Sequence, residues 1–112
     1  MKDETRKNLV DILQAAEEIA EFVRGMDFAA YRKNTVTQRA VERDFEIVGE
    51  ALKRIKHTDY EVLDRVSEHS RIIGFRNILI HGYDVIDESL VWKAATKHLP
   101  ILVSEIQEIL KG

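Results

Sequence analysis

The chain contains no cysteine, one proline and five glycines. Without cysteine it can form neither a disulfide nor a thiolate metal site, and it has no cysteine nucleophile. So few proline and glycine residues favour long helices over many short strands. No apolar run approaches the ~18 residues of a membrane-spanning helix, and the charged segment MKDETRKN at the start lacks the apolar core of a signal peptide. These absences predict a cytoplasmic protein without a membrane segment.

What the chain does contain indicates a single helical domain over residues 1–112. Its 112 residues are 45% hydrophobic and 33% charged, which is typical of a globular protein with one core. Apolar residues recur at steps of three and four through most of the sequence, starting with a predicted helix over about residues 3–24 that Gly25 stops. We therefore predict an all-α antiparallel helical bundle of about five helices. Its surplus of aliphatic residues suggests a homodimer.

Several helix boundaries can be predicted from capping residues. Residues 26–34 are expected to hold a short helical turn. The predicted N-terminal caps of the later helices are Thr35 paired with Gln38, Thr58 paired with Glu61, Ser70, and Asp87. Pro100 lies within the last apolar pattern, and we expect it to kink or divide that helix.

Charge is unevenly distributed along the chain. The net charge is −3 overall, which argues mildly against a nucleic-acid binder. Residues 32–57, however, carry seven basic and four acidic side chains, a net charge of +3, whereas the segments on either side are each −3. This middle segment could contact a phosphate backbone or could simply be a solvated helix face.

The segment over residues 76–83 combines polar side chains with an apolar run, in the pattern R-N-x-x-x-H-x-Y. Arg76, Asn77, His81 and Tyr83 supply the polar groups. Burying such groups without partners is unfavourable, so they are normally paired, exposed or functional. A purely structural helix has no need of them in its most hydrophobic stretch. The segment is therefore the candidate functional site.

Helix geometry limits how these side chains can meet. Asn77 and His81 are four residues apart and lie side by side on a helix. Arg76 and His81 are five apart and point about 140° away from each other on an ideal helix. Three arrangements could bring the two together: a distortion near Gly82, a curled Arg76 side chain, or a site formed by two subunits across a two-fold axis.

The chemistry of these residue types suits RNA cleavage without a metal. Histidine can accept and release protons near neutral pH, as the ribose 2′-OH and the leaving 5′-oxygen require. Arginine binds phosphate oxygens and can stabilise the charge of the transition state. Asparagine can orient the imidazole. The four histidines are 12, 12 and 17 residues apart and no H-E-x-x-H occurs, so we expect neither a metal nor a cofactor.

Simpler interpretations apply to the same residues. An arginine and a histidine five apart on a helix are usually structural, and Asn77 could be an ordinary buried amide. Glu50 lies in an apolar neighbourhood and could support the site together with Arg43, or it could only form an ion pair with Arg76 or Arg43. The remaining histidines, His57, His69 and His98, lie among charged residues and are expected to be exposed.

The pattern extends beyond the motif and resembles a known family. Residues 40–43 and 47–52 (AVER and IVGEAL) resemble the second helix of HepT-like proteins, which are HEPN domains. Residues 72–83 (IIGFRNILIHGY) resemble their active-site helix and its exit. Val91-Trp92 and Leu99-Pro100 resemble the opening and the middle of their last helix. The similarity runs in order over about residues 3–110.

This resemblance implies a function that the pattern alone does not. HepT-like proteins are RNase toxins of type VII toxin–antitoxin pairs, homodimeric, with the motif helices at the dimer interface. The resemblance implies that Arg76 and His81 are essential, that Asn77 assists, and that RNA (mRNA or tRNA) is cut. It further implies that a nucleotidyltransferase antitoxin of the MntA type AMPylates Tyr83, silences the toxin and joins it in a larger hetero-oligomer.

Two hypotheses of other classes accompany this one. In the first, the chain is a non-catalytic HEPN partner that docks substrate to a minimal nucleotidyltransferase, which would suit its net acidic charge. In the second, it is a dimeric helical scaffold whose motif residues form a polar network at the interface. Dependence of RNA cleavage on Arg76 and His81 separates both from the toxin hypothesis.

Overall fold

The computed structural model describes residues 1–82 and 86–112, and this part of the chain is helical without strands. The helices are α1 (Asp3–Val23), α2 (Phe28–Arg32), α3 (Thr35–Thr58), α4 (Tyr60–Leu63), α5 (His69–His81), α6 (Glu88–Lys93) and α7 (Leu99–Lys111). A π-helical segment, Ala94–His98, joins α6 to α7. The all-α prediction is confirmed. The count exceeds five because the turn predicted within residues 26–34 forms the five-residue helix α2, and because the predicted last helix is divided into α6 and α7.

Helix α3 is the centre of the fold, since α1 packs on one side of it and α5 on another. The Thr5 hydroxyl donates to Asp59 Oδ2 over 2.9 Å, so the start of α1 lies at the end of α3 and the two helices are antiparallel. The fully buried side chains of this core include Leu9, Ile12, Ile19, Val41, Phe45, Val48, Leu52 and Ile55. On the α5 side, Phe45 meets Phe75 edge to face with ring centroids 5.2 Å apart. Burial of this apolar surface is the main stabilising contribution to the bundle.

The predicted capping box at Thr35 is wrong by one residue. Asn34 is the N-cap of α3, and its Oδ1 accepts from the Thr37 amide over 3.0 Å. Gln38 does not reach back to the cap; its Nε2 donates to the carbonyl oxygens of Tyr31 and Arg32 at 2.9 and 3.0 Å. Asparagine is as good an N-cap as threonine. The buried Gln38 amide instead ties α3 to α2.

The next two predicted caps are also wrong, whereas the last is confirmed. The Thr58 hydroxyl donates to the Arg54 carbonyl within α3, and Asp59 rather than Thr58 precedes α4. Helix α5 begins at His69, so Ser70 lies inside it. Asp87 does cap α6, because its Oδ1 accepts from the Ser89 amide over 2.9 Å. The Thr58 hydroxyl thus binds a carbonyl of its own helix, as threonine hydroxyls often do inside helices. The Ser70 hydroxyl instead lies 3.4 Å from Nδ1 of the His69 side chain.

The predicted kink or division at Pro100 takes the form of a change of helix type just before this residue. Pro100 is the second residue of α7, and the π-helical segment Ala94–His98 directly precedes this helix. Proline has no amide hydrogen, so it cannot bond to the carbonyl four residues earlier, and it is tolerated only in the first turn of a helix. The wide π turn absorbs this break without separating α6 from α7. None of the described helices is long and apolar enough to cross a membrane.

Glu42 and Glu88 form a carboxyl pair between α3 and α6. Glu42 is buried, and its Oε1 accepts from Arg39 over 2.8 Å. Burial, and then the neighbouring Glu88 carboxyl, raises the pKa of Glu42 from 4.5 to about 7, against the opposing effect of Arg39. The folded state therefore holds a proton that the unfolded chain releases. The stability from this proton is complete below the unfolded pKa and is lost as pH rises through about 7.

We expect the Glu42→Gln variant to remove part of this pH dependence. Its amide donates to Glu88 without needing a proton and still accepts from Arg39. At about pH 8 the variant should melt a few degrees above the unmodified chain, and near pH 5 this difference should shrink or reverse. Thermal melts followed by circular dichroism across this range measure the effect. Glu61→Gln, at an exposed carboxyl in α4, is the control. If Tm changed with pH in the same way in both variants and in the unmodified chain, the proton shared by Glu42 and Glu88 would be ruled out.

Candidate functional site

The predicted site residues Arg76, Asn77 and His81 all lie on α5. The helix is regular up to His81, and Gly82 follows it as the C-cap, with its amide donating to the Ile78 carbonyl over 2.7 Å. A helix distortion is therefore not what brings Arg76 and His81 together. Tyr83, the predicted modification site, lies outside the described residues.

The Arg76 guanidinium is directed toward α3 and is held there by two partners. One terminal nitrogen donates to Glu50 Oε2 over 2.6 Å, and the other donates to Asn77 Oδ1 over 3.1 Å. The Arg76 side chain is only 16% exposed. Of the two partners predicted for Glu50, Arg76 rather than Arg43 is therefore the one it binds. Charge-assisted hydrogen bonds of this kind are short and fix the orientation of the planar guanidinium.

Gly49 allows this position of Arg76. A Cβ atom at Gly49 would lie 2.3 Å from Arg76 Cβ and 2.6 Å from Cγ. Both distances are far below van der Waals contact, so no larger residue fits without moving α5 or the arginine. A glycine in the interior of a helix costs about 1 kcal/mol relative to alanine. Close packing of the two helices accounts for its presence in α3.

An open groove runs between α3 and α5 beside the guanidinium. It has a volume of about 470 Å³. Three arginines and two glutamates border it together with two isoleucines: Arg43, Arg54, Arg76, Glu46, Glu50, Ile47 and Ile80. Arg43 and Arg54 come from the basic middle segment that the sequence pattern singles out. The net positive border can hold an anion such as a phosphate group, with Glu50 already neutralised by Arg76.

The structure does not place the whole motif in this groove. Asn77 and His81 are exposed on α5, and neither borders the groove. Asn77 touches the groove only indirectly, through its bond to Arg76. Arg43, Glu50 and Arg76 thus lie together at the groove. His81 is exposed to solvent in the single chain. Its imidazole is available to an RNA or to a second copy of the chain.

Two of the other three histidines differ from expectation. His57 is exposed as predicted, but His69 and His98 are half-buried. The His69 ring lies edge-on to Tyr60, with centroids 6.4 Å apart, and His98 Nδ1 lies 3.4 Å from Glu68 Oε2. These two histidines are shielded by contacts between residues that are distant in the sequence. The prediction of exposure failed because it relied only on the charged residues next to them in the chain. In residues 1–82 and 86–112, no three metal-binding side chains cluster as a metal site would require.

Sequence reasoning missed two features near the site. The first is the close approach of Gly49 to Arg76. The only sign of it in the sequence is a glycine in the interior of a predicted helix. The other is a carboxyl pair, Glu18 and Asp44, at the adjacent face of α3 that packs against α1. Asp44 is buried, although a carboxylate next to Arg43 in the basic middle segment would be expected to be solvated. No spacing rule within one helix could pair it with Glu18 of another.

Comparison with known proteins places the chain in a family. The model of the family described as "Ribonuclease HepT-like" matches residues 12–109. A Methanocaldococcus jannaschii protein provisionally named an RNase is 34% identical over 106 residues, covering 95% of this chain and 96% of that protein. A Caldanaerobacter subterraneus protein, also provisionally named an RNase, is 35% identical over 95% of this chain and 94% of its own length.

A third relative is similar along its entire length. It is a Thermococcus cleftensis protein provisionally named ribonuclease HepT, and it is 33% identical over 99% of this chain and 100% of its own length. No solved structure matches the chain. The family model and these full-length similarities agree with each other and with the all-helical fold. The chain belongs to the HepT-like ribonuclease family.

Proposed function

We propose that the chain is a metal-independent endoribonuclease toxin and that α5 carries its active site. The observation that carries this proposal is the Arg76 guanidinium, held at the border of a groove that two further arginines also line. A purely structural ion pair needs one arginine, whereas three arginines around one groove can bind the negatively charged phosphodiester backbone of a nucleic acid. Membership of a ribonuclease family supports RNA as the substrate.

The proposed reaction is attack of the ribose 2′-OH on the adjacent phosphorus. The new 2′-O–P bond forms as the P–O5′ bond breaks. A proton leaves the 2′-oxygen and another is delivered to the departing 5′-oxygen, and His81 performs these transfers. Arg76 stabilises the negative charge on the phosphoryl oxygens. Asn77 positions the Arg76 guanidinium through its 3.1 Å hydrogen bond and orients the reacting groups.

A second copy of the chain would complete this site. Arg76 is turned toward α3, whereas His81 is exposed at the end of the same helix. A homodimer that pairs α5 with its symmetry mate brings the His81 of one copy toward the Arg76 of the other. Ile78, which lies between them in the sequence and is 51% exposed, would be covered by the same contact.

Supporting roles follow from the groove. Glu50 holds Arg76 in place rather than moving protons, since its Oε2 already accepts from the guanidinium over 2.6 Å. Arg43 and Arg54 line the same groove and would bind the flanking phosphates of the RNA.

Regulation would act at Tyr83. AMPylation there by an MntA-type nucleotidyltransferase adds a negative charge and bulk next to the motif, which would exclude RNA phosphates.

The toxin proposal can be tested with the purified chain and with chain co-expressed with an MntA-type nucleotidyltransferase. Both are assayed on RNA with EDTA present, and their intact masses are recorded. We expect the chain alone to cut RNA despite the chelator. The co-expressed chain should gain AMP on Tyr83, mapped by peptide fragmentation, and should lose activity. Cleavage that requires added metal, or no cleavage by the unmodified chain, would reject the proposed mechanism.

A non-catalytic docking subunit is the second candidate function. The observation that favours it is that Arg76 is already engaged by Glu50 and Asn77, as in an interface network. In that case the chain would bind a nucleotidyltransferase and never cut RNA. Stable association with the enzyme, combined with the absence of RNA cleavage in the assay above, would favour this function.

A further inference from the structure

The arginine-lined groove between α3 and α5 also contains a carboxylate that has no role in the site described above. Glu46 borders the groove beside its three arginines, Arg43, Arg54 and Arg76. Among the described residues no cation forms an ion pair with Glu46, whereas Glu50 is bound to Arg76. An ionised carboxylate repels phosphate groups. A groove that bound phosphates alone would be better without Glu46, which indicates a ligand that also carries hydrogen-bond donors.

Glu46 lies one helical turn from the contact that holds Arg76. Glu46 and Glu50 are four residues apart on α3, so their side chains are neighbours with Cβ atoms about 5–6 Å apart. Ile80 is likewise one turn from Arg76 on α5. Ile47 and Ile80 border the groove with Glu46, and all three side chains are half-buried. The Glu46 carboxylate therefore shares the groove with apolar surface and lies close to the guanidinium proposed to bind the reacting phosphate.

The chemistry of this part of the groove matches a nucleobase. A base has an apolar face, which can pack on isoleucine side chains, and an edge that carries hydrogen-bonding groups. Proteins recognise single-stranded RNA through such edges. The groove volume of about 470 Å³ falls within the range of small-molecule sites, about 300–1,000 Å³, so a nucleotide has room there. The arginines would bind its phosphate, and the carboxylate would face its base.

A carboxylate discriminates among the four bases because it can only accept hydrogen bonds. Guanine presents two adjacent donors, N1–H and the N2 amino group, on its Watson–Crick edge. In adenine, cytosine and uracil every donor on this edge lies beside an acceptor, which would face the negative charge. Guanine can therefore bind both carboxylate oxygens at once, and such bidentate, charge-assisted contacts are strong and geometrically specific. The same carboxylate disfavours the other three bases.

We propose that Glu46 determines base specificity by accepting two hydrogen bonds from an unpaired guanine next to the phosphate bound at Arg76. One carboxylate oxygen accepts from guanine N1–H and the other accepts from the N2 amino group. The guanine must be unpaired because base pairing in a duplex occupies the same edge. The preferred substrate is therefore single-stranded RNA with guanine beside the cleaved bond. This inference rests on the proposed function, since it names the base that the proposed site prefers.

Binding of 2′-O-methyl oligonucleotides to the full chain tests base recognition without cleavage, because these strands lack the attacking 2′-hydroxyl. Short uridine strands of equal length carry guanine, adenine, cytosine or uracil at the centre, and fluorescence anisotropy measures each Kd. We expect the guanine strand to bind about tenfold more tightly than the adenine strand, as one bidentate contact provides. Glu46→Gln should bring this ratio to one or below. Its amide has one acceptor and one donor, which match the donor and the acceptor of adenine.

Glu17→Gln is the matched control. It removes the same charge from an exposed residue of α1 that lines a different cleft, and it should keep the guanine preference of the unmodified chain. Thermal melts verify that both variants are folded.

Three binding results would overturn the proposal. They are the absence of measurable binding, equal affinity for the four strands, and a guanine preference that Glu46→Gln leaves unchanged. Cleavage of unmodified RNA of the same sequences is measured in parallel. Binding that prefers guanine and depends on Glu46, without any cleavage, would contradict the proposed function but not base recognition. Cleavage at equal rates beside all four bases would overturn base recognition but not the proposed function.

Discussion

Replacing His81 with alanine should abolish RNA cleavage and leave the fold intact. His81 is exposed at the last residue of α5, so its removal leaves no cavity in the core. General acid–base catalysis by a histidine typically contributes about 10²- to 10⁴-fold in rate, and we expect a loss of that size in kcat. The measurement is kcat and KM on a defined RNA, with thermal melts of both proteins.

His57→Ala is the matched control for this variant. His57 is also exposed, and it lies in the last turn of another helix, α3, outside the residues that line the groove. It should cleave at the rate of the unmodified chain. If His81→Ala kept full activity, the assignment of proton transfer to this imidazole would be untenable. Equal losses in both variants would point to a general effect of removing histidine.

Replacing Gly49 with alanine should destabilise the chain and reduce cleavage together. The new Cβ would lie 2.3 Å from Arg76 Cβ, so α3 and α5 must separate or Arg76 must shift. Such overpacking typically costs about 1–3 kcal/mol, which for a chain of this size lowers Tm by at least about 4 °C. A displacement of about 1 Å at a positioned group can reduce the rate about 10²-fold. Thermal melts and RNA cleavage rates measure the two effects.

The control for stability is the other glycine inside a helix, Gly74. A Cβ atom built there meets nothing within 4 Å. Gly74→Ala should therefore raise stability by about 0.5–1 kcal/mol, as expected from helix propensity alone. The two substitutions should therefore change the stability in opposite directions. This difference separates the effect of the contact with Arg76 from a general effect of replacing glycine with alanine. If Gly49→Ala melted at or above the temperature of the unmodified chain, the close approach of α3 and α5 would be wrong.

The helices could be predicted from the sequence because their signals are local. The spacing of Leu9, Ile12 and Ala16 fixes one face of α1, and the Asp87 carboxylate caps α6 within three residues of its own position. The cap at Thr35 was wrong because the neighbouring Asn34 is an equally good N-cap. The caps at Thr58 and Ser70 were wrong for another reason: α4 and α5 begin after Asp59 and Glu68, and neither side chain makes a capping hydrogen bond. Local chemistry in such cases allows several boundaries that differ by one residue, and tertiary packing selects among them.

The geometry of the site could be predicted only in part. Helix pitch shows that Arg76 and His81 diverge, but it cannot tell which partner holds Arg76. Glu50 was a candidate partner for two arginines, and only the packing of α3 against α5 selects Arg76. The Glu18–Asp44 pair is still less accessible to sequence reasoning. It depends on the register between α1 and α3, because Glu18 and Asp44 are 26 residues apart in the chain.

Ile47 and Arg54 border both the arginine-lined groove and the cleft between α1 and α3, and this shared wall has a thermodynamic consequence. Two clefts that share a wall and carry opposite charge are energetically coupled, because the occupant of each changes the field felt in the other. Linkage requires this coupling to be reciprocal. Any factor by which an ion in one cleft tightens binding in the other is therefore the factor by which the second occupant tightens binding of the first.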